Sequence, residues 1–187
     1  MERNSQINIL EAQIRECFGR VVWTHKTQEK CSDILNKRNN IIKMSQIILS
    51  ALATTGILIT IFGNNKIIGI ISALLSAALF GLNLYLKDYD LGGVAQKHAD
   101  CATHLWNVRE KYFSLLTDIK SSLISEKEII KQRDRLQEEL FNIYEGSPRS
   151  ISKAYDQASK ALKISEELTL RDEEIDAFLP EELKKNK

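Results

Sequence analysis

The sequence predicts an all-α membrane protein, in which a two-helix transmembrane hairpin carries long cytoplasmic helices that form a bundle. Three observations predict this fold. Two uncharged apolar segments, residues 44–62 and 67–86, are separated only by Gly63-Asn64-Asn65-Lys66. The charged residues, 27% of the chain, all lie outside these two segments. The chain also has only 2 prolines and 8 glycines, fewer than the many turns of a sheet protein require.

The transmembrane hairpin is predicted over residues 44–86. A helix of about 20 apolar residues rises roughly 30 Å, which is the thickness of the hydrocarbon core of a bilayer. Lipid offers no hydrogen-bond partners, so the backbone of each segment must be helical, and the short connection makes the two helices antiparallel. The alternative is a buried hairpin of a soluble bundle, although soluble core helices rarely lack charge over this length.

Residues 1–43 are predicted to form a cytoplasmic amphipathic helix. Apolar residues recur at spacings of three and four through Ile7, Leu10, Ile14 and Val21. Beyond Val22 this stripe weakens, and the polar residues 36–40 follow. They form either a break or a turn of one long helix that continues into the first span. No apolar signal-peptide core precedes them, so we expect the first span to direct insertion.

Residues 87–187 are predicted to form a C-terminal cytoplasmic helical region. Gly92 and Gly93 are a candidate hinge after the second span, although they would equally serve to end one helix and begin another. A helix from Val94 to about Ser122 follows. Its heptad seam consists of Val94, His98, Cys101, Leu105, Val108, Tyr112, Leu115 and Ile119.

Two further helix starts are predicted in this C-terminal region. Ser125 and Glu128 have the spacing of a capping box, which begins a helix. Ser147 and Pro148 would supply an N-cap and a first-turn proline for the next helix.

The distribution of basic residues predicts the orientation of the hairpin. Lys37, Arg38 and Lys43 precede the first span and Lys87 follows the second, whereas Lys66 is the one cation between them. Both termini are therefore expected to face the cytoplasm, with the hairpin in the inner membrane of a bacterium. Three scattered cysteines suit a reducing compartment. A net charge of +1 argues against direct nucleic-acid binding.

The sequence indicates no catalytic residues, no cofactor and no metal. Glycine-rich phosphate-binding motifs are absent from the sequence. His98, Cys101 and His104 are the densest set of potential zinc ligands, but positions six apart on a helix diverge by about 120°. We therefore place His98 and Cys101 in the seam, with His104 beside it, and we do not expect an enzyme.

The second span carries a ladder of small residues that predicts close helix packing. It consists of Gly69, Ala73, Ala77 and Gly81. Candidate pore-lining residues are Ser72, Ser76 and Asn83 on the second span and Thr54 on the first. The alternative is that the hydroxyl groups bond back to their own helix. The Asn83 amide needs a polar partner if it is buried in lipid.

The polar stretch Trp23-Thr24-His25-Lys26-Thr27-Gln28-Glu29-Lys30-Cys31, the two tightly joined spans and the long helical tail together resemble the SLATT domain. This resemblance covers nearly the whole chain. It implies a two-transmembrane effector associated with nucleotide-synthesising enzymes and SLOG sensor domains, and expected to form pores or perturb membranes in bacterial anti-phage systems. Some members stand beside reverse-transcriptase elements. No catalytic residue is carried over from the family.

The resemblance and the residues together predict an oligomeric effector of an anti-phage or abortive-infection system. It would permeabilise the inner membrane when a linked sensor, nucleotide synthetase or reverse-transcriptase partner triggers it. The expected assembly is a homo-oligomer. The alternative function is a membrane-anchored scaffold whose cytoplasmic helices bind a partner without forming a pore.

Overall fold

The computed structural model describes residues 2–63 and 65–185, with side chains from Gln6 onward. This part of the chain is helical and contains no strand. Its α-helices are α1 (Glu2–Gly63), α2 (Lys66–Asp88), α3 (Leu91–Lys120), α4 (Glu126–Glu145), α5 (Ser152–Lys163) and α6 (Asp172–Phe178), and a 3-10 turn spans Glu181–Leu183.

Helix α1 is one uninterrupted helix of 62 residues, about 93 Å long at 1.5 Å per residue. The polar residues 36–40 are therefore turns within this helix and do not break it. No proline lies in α1 to interrupt its hydrogen bonds. Asn39 is buried, and Asn36 Nδ2 donates to Ser32 Oγ at 3.3 Å. These polar residues are thus accommodated by contacts that a helix can make.

The hairpin consists of residues 44–63 of α1 together with α2. The Asn65 side chain begins α2 by accepting hydrogen bonds from the backbone N–H groups of Ile67 and Ile68. Large apolar side chains are exposed on both helices, including Ile47, Leu52, Ile61, Ile70, Leu74 and Phe80. Such an uncharged apolar surface is solvated by lipid. By length and composition, both helices are able to cross a membrane.

Helix α3 packs along the N-terminal part of α1, outside the hairpin, and buries the predicted seam from His98 to Ile119. The prediction for Val94 is wrong, because that side chain is 38% exposed. The start of α3 instead contacts α1 through Leu91 and Ala95, which pack with Leu35.

Helices α4 and α5 complete the bundle, which we define as residues 6–43 of α1 with α3, α4 and α5. The Ser125 N-cap of α4 is confirmed, with its side chain accepting from Glu128 N. The predicted cap at Ser147 is wrong, because α5 begins at Ser152 after Ile151. The Ser147 hydroxyl instead donates to the Ile143 carbonyl oxygen and forms a hydrogen bond with the Cys101 thiol. The main core contains Ile14, Val21, Cys101, Leu105, Val108, Tyr112, Leu115, Ile119, Ile129 and Leu136.

Candidate functional site

The two helices of the hairpin lie in close contact at Gly56 of α1 and Ser72 of α2. A methyl group at position 56 would overlap the Ser72 hydroxyl and lie 3.2 Å from Ser72 Cβ. Further along, a methyl group at Gly69 would lie 2.9 Å from Thr60 Cγ2. Ser72 is 2% exposed, and its hydroxyl donates to Ile68 O at 2.8 Å. The structure thus places Gly69 and Ser72 at the contact between the two helices of one chain.

The remaining residues of the small-residue ladder are more exposed than Gly69. Ala73, Ala77 and Gly81 are exposed, and a methyl group at Gly81 would meet nothing within 4 Å. The role of the ladder in a contact between chains therefore stays a prediction.

An open groove of about 660 Å³ lies between the two helices of the hairpin, and amide and hydroxyl side chains line it together with Ile47, Ala51 and Leu79. Thr54 and Asn83 line it together with Gln46 and Ser50. Gln46 Nε2 donates to Asn83 Oδ1 at 2.6 Å, and the Thr54 hydroxyl donates to Ser50 O at 2.8 Å. Thr54 thus makes the bond within its own helix and still lines the groove. Ser76 is half-buried and does not line it.

Gln46 is a member of this groove that sequence reasoning did not single out. Asn83 requires a polar partner inside lipid, and that requirement was the available signal. An amide one turn beyond Lys43 on the antiparallel helix is the group that meets it. The pair joins the two helices near the end of the hairpin that adjoins the bundle.

Gly92 and Gly93 lie in the first turn of α3 and not between two helices. The interruption between α2 and α3 falls just before them, at residues 89–90. Asp90 is the N-cap of α3, and its Oδ1 accepts a hydrogen bond from Gly93 N at 2.9 Å. A methyl group at Gly93 would overlap the Asp90 carboxylate, and one at Gly92 would lie 3.2 Å from Asn39 Nδ2. The two glycines therefore leave room for the cap and for α1. Their role as a hinge stays a prediction.

A second polar site lies inside the bundle, at residues 25–28 of α1. His25, Lys26, Thr27 and Gln28 are all at most 7% exposed. The His98 ring donates through Nδ1 to Gln28 Oε1, which links α3 to α1. The sequence showed only a weakening apolar stripe here, because the partners that bury these side chains come from other parts of the chain.

Lys26 is held by two carboxylates, one of them from the C-terminal part of the chain. Its Nζ lies 2.7 Å from Glu29 Oε2 and 2.9 Å from Glu167 Oε2. Burial lowers the pKa of Lys26, but the hydrogen bonds and charges of Glu29 and Glu167 outweigh it, so that the pKa is raised. Glu166 and Leu168, on either side of Glu167, have left-handed φ values of 52° and 75°. This turn is therefore strained, and the ion pairs of Glu167 fasten it to α1.

The two buried histidines predict that the bundle loses stability in weak acid. Burial lowers the pKa of His98, and burial also lowers that of His25, where Lys26 and Arg109 add to the effect and Glu29 opposes it. In the folded protein, the pKa of each ring therefore lies below its ordinary value of 6.5. Their contribution to stability is therefore complete above that pH and is lost as the pH falls below it.

Thermal unfolding of the full chain in mild detergent, followed from about pH 8 down to about pH 5, measures this loss. We expect Tm to fall across that range in the parent and to fall less in His98→Gln. The pKa of Glu167 is lowered from 4.5 by its hydrogen bond with Lys26, so its contribution is lost only at lower pH. A parent Tm that stays constant or rises on acidification would contradict the assignment.

The candidate zinc ligands lie where the seam interpretation placed them. His98 and Cys101 are buried in the seam and His104 is exposed. Across residues 2–63 and 65–185, no group of three or more His, Cys, Asp or Glu side chains is arranged to hold a metal ion.

Two apolar helical segments of membrane-spanning length are joined by a tight turn, and a groove that contains amides and hydroxyls lies between them. Together with the attached helical bundle, they define a two-helix membrane protein. Residues 10–174 match the family model described as SMODS and SLOG-associating 2TM effector domain family 4. The chain therefore belongs to this family, and the SLATT resemblance is confirmed. Membership implies a membrane effector of defence systems. No curated protein and no solved structure matches the chain.

Proposed function

We propose that the protein is an oligomeric effector that permeabilises the bacterial inner membrane when a linked sensor, nucleotide synthetase or reverse-transcriptase partner triggers it. The observation that carries this proposal is the Gln46–Asn83 pair, which lies with Ser50 and Thr54 in one groove of an otherwise uncharged hairpin. Amides and hydroxyls are costly in contact with lipid and are favoured where they meet polar partners or water.

A water path requires several chains, because one pair of helices cannot enclose it. The seam of α3 is buried within the chain, so the hairpin supplies the free surface for assembly. The exposed face of Ala73, Ala77 and Gly81 permits close approach by a helix of a second copy. Such assembly would leave Thr54 and Asn83 facing the path. Ser72 and Ser76 would join them only when the two helices of a hairpin separate.

The composition of the hairpin supports a weakly selective pore. Residues 44–62 and 67–86 contain no charged side chain, so no ring of charges selects ions. With both termini in the cytoplasm, the short turn between the spans offers little surface for a signal. The trigger would therefore act on the bundle and reach the membrane through α1 or through the junction at Gly92 and Gly93.

Expression of the chain together with its neighbouring genes in bacteria loaded with a membrane-potential dye tests the proposal. We expect the parent to depolarise the cells on triggering. Ala73→Leu with Ala77→Leu should reduce assembly and depolarisation about tenfold or more, equal to roughly 1.4 kcal/mol of association free energy. Sizing in mild detergent measures assembly in parallel.

Ile70→Leu, an exposed apolar change on the same helix, is the matched control and should behave as the parent. The Asn83→Leu variant should assemble as the parent does but should depolarise the cells less. A parent that inserts, binds a partner through its bundle and leaves the potential unchanged would instead support the membrane-anchored scaffold.

A further inference from the structure

A groove at the junction of the hairpin and the bundle gathers three cations from two parts of the chain. We call it the juxtamembrane groove and define it by Lys37, Arg38, Ile41, Leu82, Tyr85 and Lys153. It is open and has a volume of about 660 Å³. Lys37 and Arg38 belong to α1, whereas Lys153 comes from the first turn of α5. The bundle thus contributes a charge at the edge of the hairpin.

The charges of the groove are not neutralised by the protein. None of the residues that line it is acidic. Within the described part of the chain, no carboxylate forms a salt bridge with Lys37, Arg38 or Lys153, whereas Lys26 and Lys111 in the bundle are both paired. Three unpaired cations around one cavity favour an anionic ligand.

Arg38 is held in position on the wall of the groove. Its Nη2 donates to the Tyr85 hydroxyl at 2.9 Å, and its guanidinium lies 5.8 Å from the centre of the Tyr85 ring. A guanidinium carries five N–H donors, so most remain free for a second partner. Its planar geometry matches a phosphate group, and fixing it in advance lowers the entropy lost on binding.

The upper wall of the groove is apolar. Ile41 is 58% exposed, and Leu82 and Tyr85 are half-buried beside it. These side chains continue directly into the exposed apolar surface of the hairpin. A ligand that fits must therefore be anionic at one end and apolar at the other, which separates a phospholipid from a free phosphate ion.

We propose that the juxtamembrane groove binds an anionic phospholipid of the leaflet that faces the bundle. Lys37, Arg38 and Lys153 hold its phosphate headgroup, while its acyl chains lie on Ile41 and Leu82. Such a lipid joins α5 to both helices of the hairpin. The proposal requires that the hairpin be inserted in a membrane and does not depend on pore formation.

Titration of the purified full chain in mild detergent with phosphatidylglycerol tests this site, with thermal stabilisation and lipid retention in native mass spectrometry as readouts. We expect phosphatidylglycerol to be retained and to stabilise the protein. Lys153→Gln and Lys37→Gln should each weaken retention about fivefold, since each removes one cation near the headgroup. Both side chains are exposed, so neither change is expected to disturb folding.

Lys127→Gln, an exposed cation on α4 outside the groove, is the control and should retain lipid as the parent does. Phosphatidylcholine, glycerol phosphate and inorganic phosphate form the comparison arms. Equal stabilisation by inorganic phosphate would show an anion site without lipid specificity and overturn the proposal. Equal retention of phosphatidylcholine, or undiminished retention by Lys153→Gln, would overturn it as well.

Discussion

Gly56→Leu is expected to force the two helices of the hairpin apart and to destabilise the protein by about 1–3 kcal/mol or more. Even a methyl group at this position would overlap the Ser72 hydroxyl and lie 3.2 Å from Ser72 Cβ. A leucine cannot be placed there unless the helices separate or rotate. Thermal unfolding of the full chain in mild detergent measures the loss.

Gly19→Leu, on the same helix α1 but outside the hairpin, is the matched control, because a Cβ at position 19 meets nothing within 4 Å. Its effect on unfolding should stay within about 0.5 kcal/mol. The milder Gly56→Ala supplies a second check. Adding Ser72→Ala to it removes the overlapping oxygen, so the double variant should recover most of the stability that Gly56→Ala loses. If the double variant is no more stable than Gly56→Ala alone, Ser72 is not the group that limits the approach of the helices.

Gln28→Leu is expected to destabilise the bundle by about 1–3 kcal/mol, because it leaves the buried His98 N–H without its acceptor. His98 is 1% exposed and Gln28 is 4% exposed, so water cannot replace the lost partner. His98→Leu should cost a similar amount, since it leaves the Gln28 carbonyl oxygen unsatisfied. Chemical or thermal unfolding in detergent compares the variants.

The combined change Gln28→Leu with His98→Leu removes both polar groups and should cost much less than the sum of the two single changes. His104→Leu provides the control, because this histidine lies exposed on the same helix. Additive losses in the double variant would show that the two side chains do not act as a pair.

The hairpin and most of the α3 seam could be predicted because local chemistry determines them. Lipid demands long uncharged helices, and a helix packed along another demands apolar residues at spacings of three and four. The seam from His98 to Ile119 follows that rule. It failed at Val94, where the start of α3 is set by the Asp90 cap and by contact with Leu35 of α1.

The polar sites could not be predicted in the same way, because their members come together only in the folded chain. Lys26 is buried beside Glu167, and Arg38 contacts Tyr85, although each pair is far apart in the sequence. Hydropathy assigns such residues to the surface. The sequence likewise left open whether α1 continues through Asn39. In the structure this amide is buried next to Gly92, a contact between distant parts of the chain that the sequence does not show.

The unbroken course of α1 fixes the rotational phase of its membrane segment. Each residue of an α-helix advances about 100° around the axis, so the direction in which Gln46 and Thr54 project is set by the direction in which Gln28 projects. The contact of Gln28 with His98 therefore acts as an angular reference for the groove in the hairpin. A rotation of α1 about its own axis relative to α3 would therefore rotate the α1 side of that groove by the same angle.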